Sequence, residues 1–97
     1  MILEIKMANK IAASHILVDQ KFEAEDILKK IEAGESFEKL AEDFSNCGSA
    51  RQGGSLGEFG KGMMVAPFEQ AAFALQPGQI SGIVQTQFGF HIIKRTK

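Results

Sequence analysis

"PGQISGIVQTQFGFHIIK", residues 77–94, decides the fold. Pro77-Gly78 punctuates the end of whatever precedes it. Residues 80–85 and 90–96 are then two runs rich in β-branched and aromatic residues, with "TQFG" (86–89) as the turn between them. The chain therefore ends in an antiparallel hairpin. Its second strand carries a histidine, His91, inside an apolar run. A similar run, "SHILV" (14–18), lies near the other end, and His15 and His91 are the two histidines of the chain. Side chains alternate across a strand, so His15 shares a face with Leu17 and His91 with Ile93. If the first and last strands are sheet neighbours, the two imidazoles can meet inside the domain. Each neutral ring has one donor and one acceptor, so a pair can satisfy each other. Spacing alone favours the plainer arrangement, in which each histidine is satisfied separately in the core or at a strand end.

Outward from these strands the pattern is regular. "IAASHILV" (11–18) predicts a strand buried on both faces at its end. Ala24, Ile27, Leu28 and Ile31 follow at i, i+3, i+4 and i+7, the stripe of an amphipathic helix, and Gly34 is placed to end it in a left-handed cap. Ser36 offers an N-cap to a second helix with the stripe Phe37, Leu40, Ala41 and Phe44. "NCGSARQGGSLGEFGKG" (46–62) holds six of the ten glycines. Each interior glycine costs a helix about 1 kcal/mol relative to alanine, so this stretch predicts a shaped loop leading into a short strand over 55–59. "APFEQAAFALQPG" (66–78) is a helix with Pro67 in its first turn and the stripe Phe68, Ala71, Ala72 and Leu75. The sum is an α+β domain around a small antiparallel sheet.

Composition narrows the function. The 97 residues suit one domain, with 44% hydrophobic and 24% charged residues as in soluble globular proteins. Eleven Lys and Arg against twelve Asp and Glu give a formal charge of -1, which draws the protein neither to nucleic acid nor to an anionic membrane. The basic tip Lys94, Arg95 and Lys97 reads as a solvated strand end. One cysteine, Cys47, cannot form an internal disulfide, which suits a reducing compartment and makes the cytoplasm the expected location. No span-length apolar run or signal-peptide pattern occurs, and residues 1–7 are expected to lie outside a core spanning 8–97.

Individual residues leave several chemistries weak. Cys47 as a histidine-activated nucleophile lacks an oxyanion-hole motif or an orienting Asn or Asp, so a small apolar residue with an incidental thiol is the better reading. Two His and one Cys without finger spacing make a poor zinc site, and no metal or cofactor is expected. "GEFGKGM" (57–63) has neither P-loop nor dinucleotide spacing.

Taken together, "ASHILV" (13–18), "GGSLGEFGKGMMVAPFEQAAFAL" (53–75) and "PGQISGIVQTQFGFHIIK" (77–94), with the helix pair between the first two, resemble the parvulin family of peptidyl-prolyl cis/trans isomerases. The resemblance covers 8–97 and is greatest to small single-domain prokaryotic parvulins. It implies a parvulin-like (FKBP-like) fold, a four-stranded antiparallel sheet surrounded by about four helices in the order βα3βαβ2. His15 and His91 would be the family's dual histidines, Cys47 the residue beside the substrate peptide bond, and Thr86 a hydroxyl in the histidine network. Leu56, Met64 and Phe68 would hold the proline ring, with Phe59 as a further lining residue and Phe88, where some relatives carry serine, as another substrate-binding residue.

The implied activity is non-covalent rotation of X-Pro bonds in folding or flexible polypeptides, by a monomer that needs no stable partner. The alternative is a non-catalytic module that binds proline-containing peptides. Phospho-specific parvulins carry a basic cluster between the first strand and first helix. Here that stretch is "DQKFEAED" (19–26), with one lysine among four acids, so no preference for phosphorylated substrates is expected.

Overall fold

The structure is a computed structural model and describes residues 10–97; the expectation for residues 1–7 falls outside them. Strand β1 (Lys10–Val18) leads to helices α1 (Lys21–Glu32) and α2 (Phe37–Phe44), a short 3-10 turn (Gly48–Gln52) and β2 (Ser55–Gly60). Helix α3 (Ala66–Ala74) and the hairpin β3 (Ile80–Thr86) and β4 (Gly89–Arg95) complete the chain. The four strands form one antiparallel sheet in the order β2-β1-β4-β3. Among the described residues the first and last strands are thus the central pair, with His15 opposite Ile93 and Leu17 opposite His91.

Sequence chemistry accounts for the boundaries. Gln20 and Glu23 form a reciprocal capping box at the start of α1, and Gly34 follows its end at φ +99°. The Ser36 hydroxyl accepts from the Lys39 N–H at 3.2 Å and opens α2. Pro67 sits in the first turn of α3, where its missing N–H costs nothing. In the bulge between Ile80 and Ile83, the Ser81 hydroxyl accepts the Ile93 N–H at 2.9 Å, so a side chain replaces a ladder carbonyl.

Alternation along β1 divides the interior between the two sheet faces. Ile16, Val18 and Ile92 pack with Ala24 and Ile27 of α1 and Phe37, Leu40 and Ala41 of α2. Ile11, Ala13 and Ile93 pack on the other face with Phe59, Phe68 and Ala72, under α3. Both histidines lie on the α3 face, near the end of the sheet where β1 meets its first helix.

Two expectations need correction. The glycine-rich stretch does contain helical backbone. Ala50 N–H donates to Cys47 O at 3.0 Å and Gly53 N–H to Ala50 O at 3.1 Å, closing a 3-10 turn. Its interior is "SARQ" (49–52), with the glycines at its borders, so the penalty counted over the whole stretch did not apply to these residues. Phe44, expected on the buried stripe of α2, is instead 47% exposed at the helix end.

Candidate functional site

His15 and His91 sit diagonally across the central strand pair, and their Nδ1 atoms are 3.0 Å apart. The rings stack with centroids 5.2 Å apart, and each meets the Phe68 ring edge-on, at 5.5 Å and 5.3 Å. On the far side, His91 Nε2 lies 2.7 Å from the Thr86 hydroxyl, which also accepts from the Phe88 N–H at 3.1 Å. One hydrogen-bonded chain therefore runs from the β3–β4 turn through His91 to His15. Two proton arrangements satisfy it. Either Thr86 donates to His91 and His91 to His15, or both bonds run in reverse. His15 Nε2, at the inner end, has no hydrogen-bond partner among the described residues.

Both rings are held neutral. Burial, and then the neighbouring His91, lower the His15 pKa to about 4, and burial lowers that of His91. The geometry agrees, because protonating both rings would point two Nδ1–H donors at each other. The consequence for stability has a definite sign. The unfolded chain takes up protons near pH 6.5 while the folded chain resists, so stability is full above that pH and falls as pH drops towards 4. His15 alone is expected to make the domain about 2 kcal/mol less stable at about pH 5 than at about pH 7. Urea unfolding at the two pH values checks this, and a His15→Leu variant should lose the share of His15 while keeping that of His91.

Beside the rings opens a cavity of about 390 Å³. Leu56, Met64, Val65 and Phe68 form its apolar side, Cys47 and the two histidines its polar edge, and Met63 and Phe88 its exposed rim. The segment bearing Cys47 is tied to β1. The Ser45 hydroxyl accepts the N–H groups of Leu17 at 3.0 Å and Cys47 at 3.3 Å, while Asn46 N–H donates to Leu17 O at 2.7 Å. Gly54 N–H closes the far side of the 3-10 turn on Ser49 O at 2.9 Å, and Gly54 O accepts the His15 N–H at 2.9 Å.

The structure thus brings together His15, Cys47, Leu56, Met64, Phe68, Phe88 and His91, with Thr86 one bond behind His91. Phe59 is the exception. It is 1% exposed and packs behind Phe68, with ring centroids 6.1 Å apart, so it supports the wall and does not line it. Alternation puts Phe59 on the α3 face, but depth on that face depends on α3, which strand spacing cannot report. Sequence reading missed Ser45, Leu17, Met63 and Val65. Leu17 could have been found, since it shares the face of His15; nothing local marks Ser45 as the tie between the Cys47 segment and β1. Among the described residues no group of three or more His, Cys, Asp or Glu could hold a metal ion, and no helix is long and apolar enough to cross a membrane.

Comparison with known proteins follows the same lines. Residues 4–97 match the Rotamase family, described as the PPIC-type PPIase domain. The foldase protein PrsA of Bacillus subtilis is 50% identical over 92 residues, which are 94% of this chain and 32% of PrsA. This chain therefore spans about a third of that relative. NmPin, the parvulin of Nitrosopumilus maritimus, is 53% identical with a TM-score of 0.82, over 93% of this chain and 98% of NmPin. The peptidyl-prolyl cis-trans isomerase pin1 of Schizosaccharomyces pombe is 62% identical over 60 residues, 62% of this chain and 34% of pin1.

Proposed function

Because this chain belongs to the PPIC-type peptidyl-prolyl isomerase domains, the parvulins, we propose that it catalyses cis/trans rotation of X-Pro bonds in flexible or folding polypeptides. The observation that carries this reading is an open apolar cavity walled by Leu56, Met64 and Phe68 and bordered by a neutral histidine pair. Amide resonance gives the X-Pro bond a barrier near ~20 kcal/mol and lifetimes of roughly 10 to 100 s. No bond has to break. A site that binds the twisted amide better than either planar isomer is sufficient. In the twisted amide the carbonyl oxygen is less negative and the nitrogen more pyramidal, so poorly hydrated apolar surroundings favour it. A reduction of about 4 kcal/mol already accelerates rotation about a thousandfold.

We assign the proline ring to Leu56, Met64 and Phe68, where the adaptable thioether of Met64 tolerates varied neighbours. Cys47 lies beside the rotating carbonyl as a weakly polar, non-covalent neighbour. The histidines and Thr86 brace the wall and keep it free of charge; they transfer no proton, because isomerisation requires none. A Cys47→Asp variant is therefore expected to keep substantial activity. Near-complete loss of turnover in a folded Cys47→Asp variant would point to attack by the thiolate.

Exchange spectroscopy on a short Ala-Pro peptide tests the reading. Faster cis/trans exchange on adding the protein supports it, and binding shifts without faster exchange identify a non-catalytic peptide-binding module. Adding a phosphate before the proline should give no advantage, because residues 19–26 present four acids and one lysine. A monomer of one parvulin domain spanning 8–97 fits this activity, since the cavity is lined from a single chain. The lone Cys47 thiol favours a reducing compartment, the cytoplasm.

A further inference from the structure

A second opening lies on the other face of the sheet. It is a groove of about 520 Å³ between α1 and the end of α2, with Val18 and Ile27 in its floor. Phe22 and Phe44 stand over it 68% and 47% exposed, two of the four large apolar side chains that the described residues leave in water. The other two, Met63 and Phe88, rim the proline cavity. Leu17 lines the one opening and Val18 the other, so both sit at the same end of β1 on opposite faces. Exposed aromatic side chains gathered at a concavity mark an interaction site more often than scattered ones do.

Charge selects the occupant. Glu23, Glu25 and Asp26 border the groove against one cation, Lys29. Asp26 is shared with Lys30 at 3.6 Å, and one Glu23 oxygen accepts the Gln20 N–H at 3.0 Å. Glu25 has no ion-pair partner among the described residues. An anionic ligand would meet like charge here. The basic C-terminal tip of a second copy would first have to give up its own partners: Lys94 pairs with Glu38 at 3.0 Å, Arg95 with Leu75 O at 2.6 Å, and Lys97 with Glu58 at 3.7 Å.

We infer that this groove is a docking site for a basic polypeptide segment, in which an aromatic or aliphatic side chain inserts between Phe22 and Phe44 while flanking Lys or Arg residues pair with Glu25 and Asp26. The volume lies within the range of pockets that hold one or a few side chains. The inference does not depend on catalysis at the proline cavity.

A proline-free peptide isolates this site. Acetyl-Lys-Phe-Lys-Leu-Lys-amide is titrated into the isotope-labelled 97-residue chain, with acetyl-Glu-Phe-Glu-Leu-Glu-amide as the control. Saturable amide shifts are expected at Phe22, Ile27 and Phe44, with none centred on Met64 and Phe68. Affinity should fall at least ~tenfold between about 20 mM and about 300 mM salt, since the pairing charges are exposed. Phe22→Ser and Glu25→Lys, both at exposed positions, should each weaken binding ~tenfold at the lower salt. The inference is overturned by the absence of shifts, by shifts confined to the proline cavity, or by equal binding of the acidic peptide. Shifts in the groove that depend on protein concentration without peptide would also overturn it, in favour of a second copy.

Discussion

Replacing Gly54 by alanine is expected to lower the melting temperature by more than about 10 °C, at a cost on the order of 3 kcal/mol. Two effects combine. Gly54 has φ +87°, a conformation that costs an L side chain about 1–2 kcal/mol. A β-carbon there would also collide with the carbonyl oxygen of His15 and come within 3.1 Å of Ala41 Cβ. The carbonyl belongs to a central strand and cannot yield as a flexible side chain would. Gly34→Ala separates the two effects, because its φ is +99° with nothing within 4 Å of the added carbon. It should cost only the conformational part, about 1 kcal/mol. Thermal unfolding of both variants checks the difference; equal losses would mean that the close approach at His15 carries no weight.

The second large effect is at Phe68. Phe68→Ala is expected to cost about 3–5 kcal/mol of stability, as for a buried aromatic, and to lower kcat/KM per folded molecule by roughly 10- to 100-fold. The stability loss follows from its 3% exposure and its packing with Phe59, and the catalytic loss from its place in the cavity wall. Phe59→Ala is the informative partner. Phe59 is equally buried but lies behind the wall, so its loss should match in stability while leaving activity per folded molecule within a few-fold of the parent. Chemical unfolding and exchange spectroscopy at low temperature, where both variants stay folded, read the two quantities separately. If both variants lose catalysis equally, the ring of Phe68 does not touch the substrate and acts only by filling the core.

These two phenylalanines show how far sequence reaches. Helical spacing placed Phe68 on the buried stripe of α3, and alternation placed Phe59 on the inner face of β2. Which of them borders open space depends on the N-terminal turn of α3 facing the histidines, a tertiary fact with no local signature. The elements themselves were legible because capping residues, glycine and proline mark their ends: Ser36 before α2, Pro67 within α3, Pro77-Gly78 after it. The histidine pair was half legible. Period-two alternation oriented each ring, but the neighbourhood of β1 and β4 came from the family resemblance and is now visible as direct register. The groove over α1 escaped notice because Phe44 repeats the spacing of a core stripe, and spacing cannot say whether anything covers the last turn of a helix.

His15 and His91 are 76 positions apart, yet their strands are immediate neighbours at the middle of the sheet. Loop closure over nearly the whole chain must precede their meeting, which places the domain among slower-folding topologies. During translation β1 emerges before the helices of the domain, while its partner β4 follows every other described element. A chain made only as far as α3 carries Leu56, Met64 and Phe68 but neither Phe88 nor His91, so the cavity lacks one histidine and part of its rim. The histidine-bordered cavity is therefore whole only once all four strands have been made.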